Sequence, residues 1–143
     1  MGKEVGNNWG KPDKFPIVAT TYRIVEHWQA GGMSRWLEWL AECQPEMFVE
    51  MSRELASEKG ISNGDKVKIS SARGEIEAVA VVTARFKPFV INGKPVHQVG
   101  MPWHFGWGGI ASGAIANDLT PHVGDGNTTI PEYKAFLVDI QRA

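Results

Sequence analysis

A mainly β fold, either a barrel or a sandwich, is what this sequence predicts, and three observations carry the prediction. Short runs rich in β-branched residues recur at 17–25, 66–70, 75–83 and 134–140. Turn signals separate them: Asn63-Gly64-Asp65, Ala72-Arg73-Gly74 and Asn92-Gly93. Only the segment from Ser52 to Gly60 carries full helix punctuation. Closely spaced strands with glycine-rich turns favour a barrel or sandwich over a parallel α/β sheet.

Residues 1–16 are polar, with Gly2, Gly6, Gly10, Pro12 and Pro16 and no periodicity. They read as a tail or linker ahead of a domain at 17–143. Ile17–Val25 is the first strand, and Gly31-Gly32 marks a loop within Glu26–Arg35. Trp36–Ala41 reads as a short helical turn that must stop before Pro45. Phe48-Val49 follows as a short strand. In the next helix Ser52 is the N-cap, Glu54 lies in the first turn, Lys59 in the last, and Gly60 is the stop. Lys66–Ser70 alternates as a half-buried strand should, and Glu75–Thr83 alternates before turning fully apolar. Asn92-Gly93 fits a type I′ turn joining Phe89–Ile91 to Val96–Val99, because both central positions of that turn need positive φ. Residues 100–131 are glycine-rich without a period, a long loop of the kind that often carries function. Lys134–Ile140 is the last strand, bringing the expectation to about six or seven strands and one or two short helices.

The length of 143 residues suits one domain with a substantial core. Fifteen basic and sixteen acidic side chains leave a net charge of −1, against a nucleic-acid or membrane-surface partner, which would draw a basic excess. A single cysteine, Cys43, leaves no internal disulfide and no four-cysteine metal site. Its neighbours Glu42 and Glu46 make an acidic surrounding of the kind that does not activate a thiol. No apolar run approaches the roughly 18 residues of a membrane span, and the N-terminus lacks a signal-peptide core, so direct membrane insertion is not expected.

Nucleophile and phosphate signatures are absent. There is no Gly-x-Ser-x-Gly elbow and no Walker loop, and Gly106-Trp-Gly108-Gly-Ile-Ala111 lacks the third glycine of a dinucleotide fingerprint. His27, His97, His104 and His122 never pair at helical spacing with a completing carboxylate, so no intrinsic metal set is expected. Six tryptophans and sixteen glycines are the unusual feature. Trp103 and Trp107 lie within Met101–Gly109, and Trp28, Trp36 and Trp39 lie within a dozen residues of one another. Large aromatics beside glycines suit a ligand surface, an interface or simply core. With Arg23, His27, Arg35, Asn117 and Lys134 among the remaining polar side chains, this inventory fits a polar heterocycle carrying phosphates. The plainer alternative is that Arg23 and Lys134 are solvated and His27 is a core histidine satisfied by backbone.

The segment from Thr20 to Arg35, Thr-Thr-Tyr-Arg-Ile-Val-Glu-His-Trp-Gln-Ala-Gly-Gly-Met-Ser-Arg, resembles the opening of the C-terminal domain of molybdenum- or tungsten-dependent formate dehydrogenase catalytic subunits. The resemblance continues through Gln44–Phe48, Gly60–Val67, Ser71–Gly74, Val96–His104, Ala116–Pro121, Val123–Asp125 and Ile130–Phe136, and so covers about residues 13–143. It implies a double-psi six-stranded β-barrel that binds molybdopterin dinucleotide. In that family two molybdopterin guanine dinucleotides hold the metal, formate is oxidised to carbon dioxide, and electrons pass to iron–sulfur clusters. The C-terminal domain closes over the cofactor from one side.

The resemblance also implies the site residues. Arg23 would meet phosphate or a pterin acceptor, and His27 a pterin edge. Trp103 and His104 would occupy the loop nearest the pterin, Asn117 would offer a cofactor-contacting amide, and Tyr133 and Lys134 would form a terminal pair beside the cofactor. Ser34 and Arg35 match a Met-Thr-Arg pattern, with serine in place of the usual threonine. The family's metal-ligating selenocysteine or cysteine, catalytic residues, cluster cysteines and twin-arginine signal lie in upstream domains. The chain is therefore expected to be catalytically silent alone and to bind no cofactor tightly in isolation. Its expected partners are the remaining domains of a large subunit and an iron–sulfur subunit, in a periplasmic parent enzyme or alternatively a cytoplasmic one. The competing reading is a standalone barrel module for protein–protein contact.

Overall fold

The computed structural model describes residues 9–143, so the expected tail at 1–16 lies outside the described residues over positions 1–8. Six strands form a closed barrel: β1 (Ile17–Tyr22), β2 (Phe48–Ser52), β3 (Lys66–Ser70), β4 (Glu75–Thr83), β7 (Gln98–Pro102) and β8 (Phe136–Arg142). Two further strands, β5 (Phe89–Ile91) and β6 (Lys94–Val96), make a hairpin outside it. Around the barrel the order is β1-β7-β2-β4-β3-β8, with β8 returning to β1. Two pairings are parallel, β1 with β7 and β2 with β4, and the other four are antiparallel. The six-stranded double-psi barrel implied by the resemblance is thus the observed fold. Alternate residues of each strand point inward, and Val49, Met51, Val67, Ile69, Val99, Met101, Val138 and Ile140 fill the interior without solvent contact.

The punctuated helix forms as read. In α2 (Arg53–Lys59) Ser52 Oγ accepts from Leu55 N at 3.1 Å, and Gly60 closes the helix at φ 65°. The Asn92-Gly93 turn also forms, with φ of 51° and 76°. Its return strand, however, is β6, and Gln98–Pro102 is a separate barrel strand. Gly100 and Pro102 disguise that strand as the start of the long loop, because both residues are normally depleted in strand interiors. The first strand stops at Tyr22 and not at Val25, since Ile24 N–H leaves the ladder to donate to His104 Nε2 at 2.9 Å. The second runs to Ser52, longer than expected; Glu50 masks its continuity in the sequence although all of Val49–Ser52 is buried. The last strand begins at Phe136, because Lys134 turns away to donate to the Thr21 carbonyl at 2.6 Å. The expected helical turn splits into a 3-10 turn, Ser34–Trp36, and α1 (Glu38–Cys43).

Glu50 is tolerable at a buried position because four donors meet it. Its carboxylate accepts from Tyr22 Oη, Thr83 Oγ1 and Arg85 Nε, each at 2.9 Å, and from Arg85 Nη2. Burial pushes this carboxyl up, but the bonds from Arg85, Thr83 and Tyr22 outweigh it and hold it below the ordinary 4.5. A depressed folded pKa contributes stability that is complete above the ordinary carboxylate range and lost as pH falls through the folded value. Glu50→Gln is therefore expected to lower the urea midpoint at neutral pH, with the deficit shrinking as pH falls below the ordinary carboxylate range. A deficit independent of pH would contradict this account.

Candidate functional site

The parallel register of β1 and β7 builds the site's first wall. Tyr22 pairs with Pro102, so the next residues, Arg23 and Trp103, leave the barrel side by side. The Arg23 guanidinium lies 4.6 Å from the centre of the Trp103 ring, a cation–π stack that leaves Arg23 exposed. Tyr133 and Lys134 reach the same strand end from the other direction. Thr21 Oγ1 donates to the Tyr133 carbonyl at 3.1 Å, and Lys134 Nζ donates to the Thr21 carbonyl.

Trp103 also lines a cleft of about 420 Å³, with Arg35, Trp36, Phe105, Trp107 and Asn117. Its floor is Arg35, only 7% exposed, which pairs with no carboxylate among the described residues. Arg35 Nη1 donates instead to three successive carbonyls, Gly106 O at 3.0 Å, Trp107 O at 3.3 Å and Gly108 O. Arg35 Nε is buried with no partner. In a trans peptide the N–H points opposite to the C=O. The amides of Trp107, Gly108 and Gly109 therefore face away from the guanidinium, and none donates to another described residue. Amides that face outward without a protein acceptor suit an anion on the open side of the loop, and the indole walls suit a flat ring. The Asn117 side chain borders this cleft and makes no hydrogen bond among the described residues.

His27, His104 and Ser34 lie behind these groups. His104 is fully buried and uses both ring nitrogens: Nε2 accepts from Ile24 N–H and Nδ1 donates to the Gln29 carbonyl. Burial pushes its pKa below 6.5 against the opposing pull of the Gln29 bond, so the imidazole is neutral. Its contribution to stability is full above pH 6.5 and declines as pH falls toward the lower folded value. Ser34 Oγ accepts from Trp28 N at 2.9 Å. His27 Nε2 donates to the Gln44 carbonyl at 2.8 Å, while its buried Nδ1 has no partner. The structure thus joins Arg35, Trp103 and Asn117 in one cleft with Arg23 at its edge. Tyr133 and Lys134 sit beside the same strand end, and His27, His104 and Ser34 sit beneath the loops.

Comparison with known proteins gives the decisive observation: the family model of the Molydopterin dinucleotide binding domain matches residues 17–137. The chain belongs to that family. As a Molydopterin dinucleotide binding domain it is 53% identical over 131 residues to formate dehydrogenase subunit alpha of Megalodesulfovibrio gigas, covering 91% of this chain and 13% of that protein. It is 55% identical over 135 residues to the nitrate-inducible formate dehydrogenase major subunit of Escherichia coli K12, covering 94% of this chain and 13% of that protein. The domain therefore spans about an eighth of the length of these relatives. Among solved structures, acetylene hydratase from Pelobacter acetylenicus superposes with a TM-score of 0.73 at 11% identity, over 92% of this chain and 19% of that one, a likeness of fold. The formate dehydrogenase resemblance that begins at Thr20–Arg35 agrees with these relatives. Among the described residues no group of three or more His, Cys, Asp or Glu could hold a metal, and no helix is long and apolar enough to cross a membrane.

Sequence reasoning misses Trp36 as a lining residue of the domain's cleft, because nothing in its spacing distinguishes it from Trp28 or Trp39. It also misses that the Gly106–Gly109 loop is organised by Arg35. A lone arginine after Met33-Ser34 carries no signal that three carbonyls will converge on it.

Proposed function

We propose that this domain binds a molybdopterin guanine dinucleotide and closes one side of its site in a formate dehydrogenase large subunit. The observation that carries the reading is the buried Arg35 guanidinium, without a carboxylate, beneath a glycine loop whose amides have no protein acceptor among the described residues. Three carbonyls satisfy Arg35 Nη1 but leave its charge without a counter-ion, and an anion drawn to the outward-facing amides offsets part of that cost. In this reading Arg23 and Lys134 supply charge to phosphate, and Asn117 reads a heterocycle edge with donor and acceptor together. Trp103 and Tyr133 present flat faces to it. Ser34, His27 and His104 act through the loops they hold. The cleft of about 420 Å³ is enough for one end of such a ligand, and the rest of its surface is left to other domains.

When bound, the cofactor supplies a molybdenum or tungsten centre at which formate is oxidised to carbon dioxide. The domain alone binds it weakly, because the ordering cost remains while much of the burial is missing. The parent enzyme is periplasmic and passes its electrons to an iron–sulfur subunit. The test is the pterin and guanine nucleotide content of the native large subunit carrying Arg23→Ala or Lys134→Ala. Both variants are expected to lose cofactor several-fold, while Lys68→Ala, which breaks an exposed pair with Glu75 on the barrel's outer face, retains it. Full cofactor in both site variants would overturn the reading.

A further inference from the structure

We infer that the apolar face running from Trp107 across Trp36 and Leu37 to Trp39 is the docking surface for the remainder of the large subunit. That remainder presents an apolar patch edged by lysine or arginine. The occupant rests on the proposed function above; the surface itself rests on four observations.

First, this face is unusually apolar for one left in water. Trp36, Trp39 and Trp107 are 61%, 83% and 89% exposed. Three indoles so exposed leave on the order of 500 Å² open, near the upper end of what soluble monomers show in one patch. Second, α1 faces outward. Its one buried residue is Ala41, while Leu37 and Trp39 point to solvent. Six residues are too few to hold a helix by propensity, so α1 is held on its inner side by buried Ala41 and by the His27 bond to the Gln44 carbonyl, and its outer side is left uncovered.

Third, the face continues from the cleft. Trp36 lines both the cleft and a shallow groove formed with Leu37, Glu38, Trp39 and Leu40. Whatever completes the cleft therefore passes over Trp36 and meets the groove. Fourth, the rim is acidic. Glu38 and Glu42 are exposed, make no ion pair among the described residues, and repel each other at i, i+4. A basic-edged partner relieves that repulsion. The chain spans 13% of its relatives, so most of their length lies outside it and is available to cover this face.

The test places a photoreactive benzoylphenylalanine at position 39 of the native enzyme. Trp39 is chosen because it lines the groove and not the cleft. Irradiation is expected to join residue 39 to a segment upstream in the same large subunit, and hydroxyl-radical oxidation of native Trp39 to be several-fold slower than that of a free peptide. A cross-link to an iron–sulfur subunit or to a second copy would overturn the inference, as would no cross-link together with peptide-like oxidation. Pterin content, measured on the same preparations, separates the two readings. If only the docking surface is wrong, the intrachain cross-link is absent and the cofactor losses in Arg23→Ala and Lys134→Ala remain. If only the cofactor assignment is wrong, the cross-link is intact and those variants keep full cofactor.

Discussion

Gly31→Ala lowers the stability of this domain by about 3–5 kcal/mol, the largest loss expected from any single methyl group added here. Gly31 sits at φ 78°, where an L side chain costs roughly 1–2 kcal/mol before any contact is counted. An added Cβ would stand 2.1 Å from the His104 carbonyl oxygen and 2.7 Å from Arg35 Nε. The first of these is backbone and cannot swing aside. At the neighbouring Gly32 no atom lies within 4 Å of where a methyl group would stand, so Gly32→Ala is expected to stay within about 0.5 kcal/mol of the parent. Urea midpoints of the two variants decide it. Equal midpoints would mean that the 23–31 and 103–106 loops do not pack as described.

Arg35→Met is expected to cost about 2–4 kcal/mol and to free the glycine loop. The substitution keeps the aliphatic bulk and removes the donor shared by the carbonyls of residues 106, 107 and 108. Because those carbonyls can reach water once the loop opens, much of the damage is local. Amide exchange at 106–109 should accelerate far more than exchange in the barrel strands. Arg35→Lys should fall between, since a point charge cannot replace the planar fork. Unchanged exchange in the methionine variant would show that the loop is held by something other than this guanidinium.

How much of the fold is legible in the sequence follows from the range of the interactions. The α2 cap at Ser52 and the Asn92-Gly93 turn are legible because each is decided within about four residues. The strand β7 is hidden because its place depends on pairing with Ile17–Tyr22, some eighty residues earlier, and that pairing overrides the poor propensity of Gly100 and Pro102. The site divides along the same line. Arg23, Trp103 and Lys134 follow from a resemblance, yet their meeting depends on the Tyr22–Pro102 register and on the Thr21 carbonyl. In the sequence His104 reads as a ligand-facing residue of its loop; only the fold reveals that both ring nitrogens clamp a neighbouring loop.

The barrel's closure sets an order on its assembly. β8 is the C-terminal strand, and it seals the ring by pairing with β1 on one side and β3 on the other. Until Phe136–Arg142 leaves the ribosome, β1 and β3 both have an open edge, and the Ile17 and Ile69 faces lack Val138 and Ile140. Pairings this distant in sequence close slowly, and open edges invite pairing with other chains in the meantime. The barrel thus completes itself only after its last strand has been made. A nascent chain stalled before residue 136 should engage chaperones more strongly than one in which residues 136–142 have cleared the ribosome.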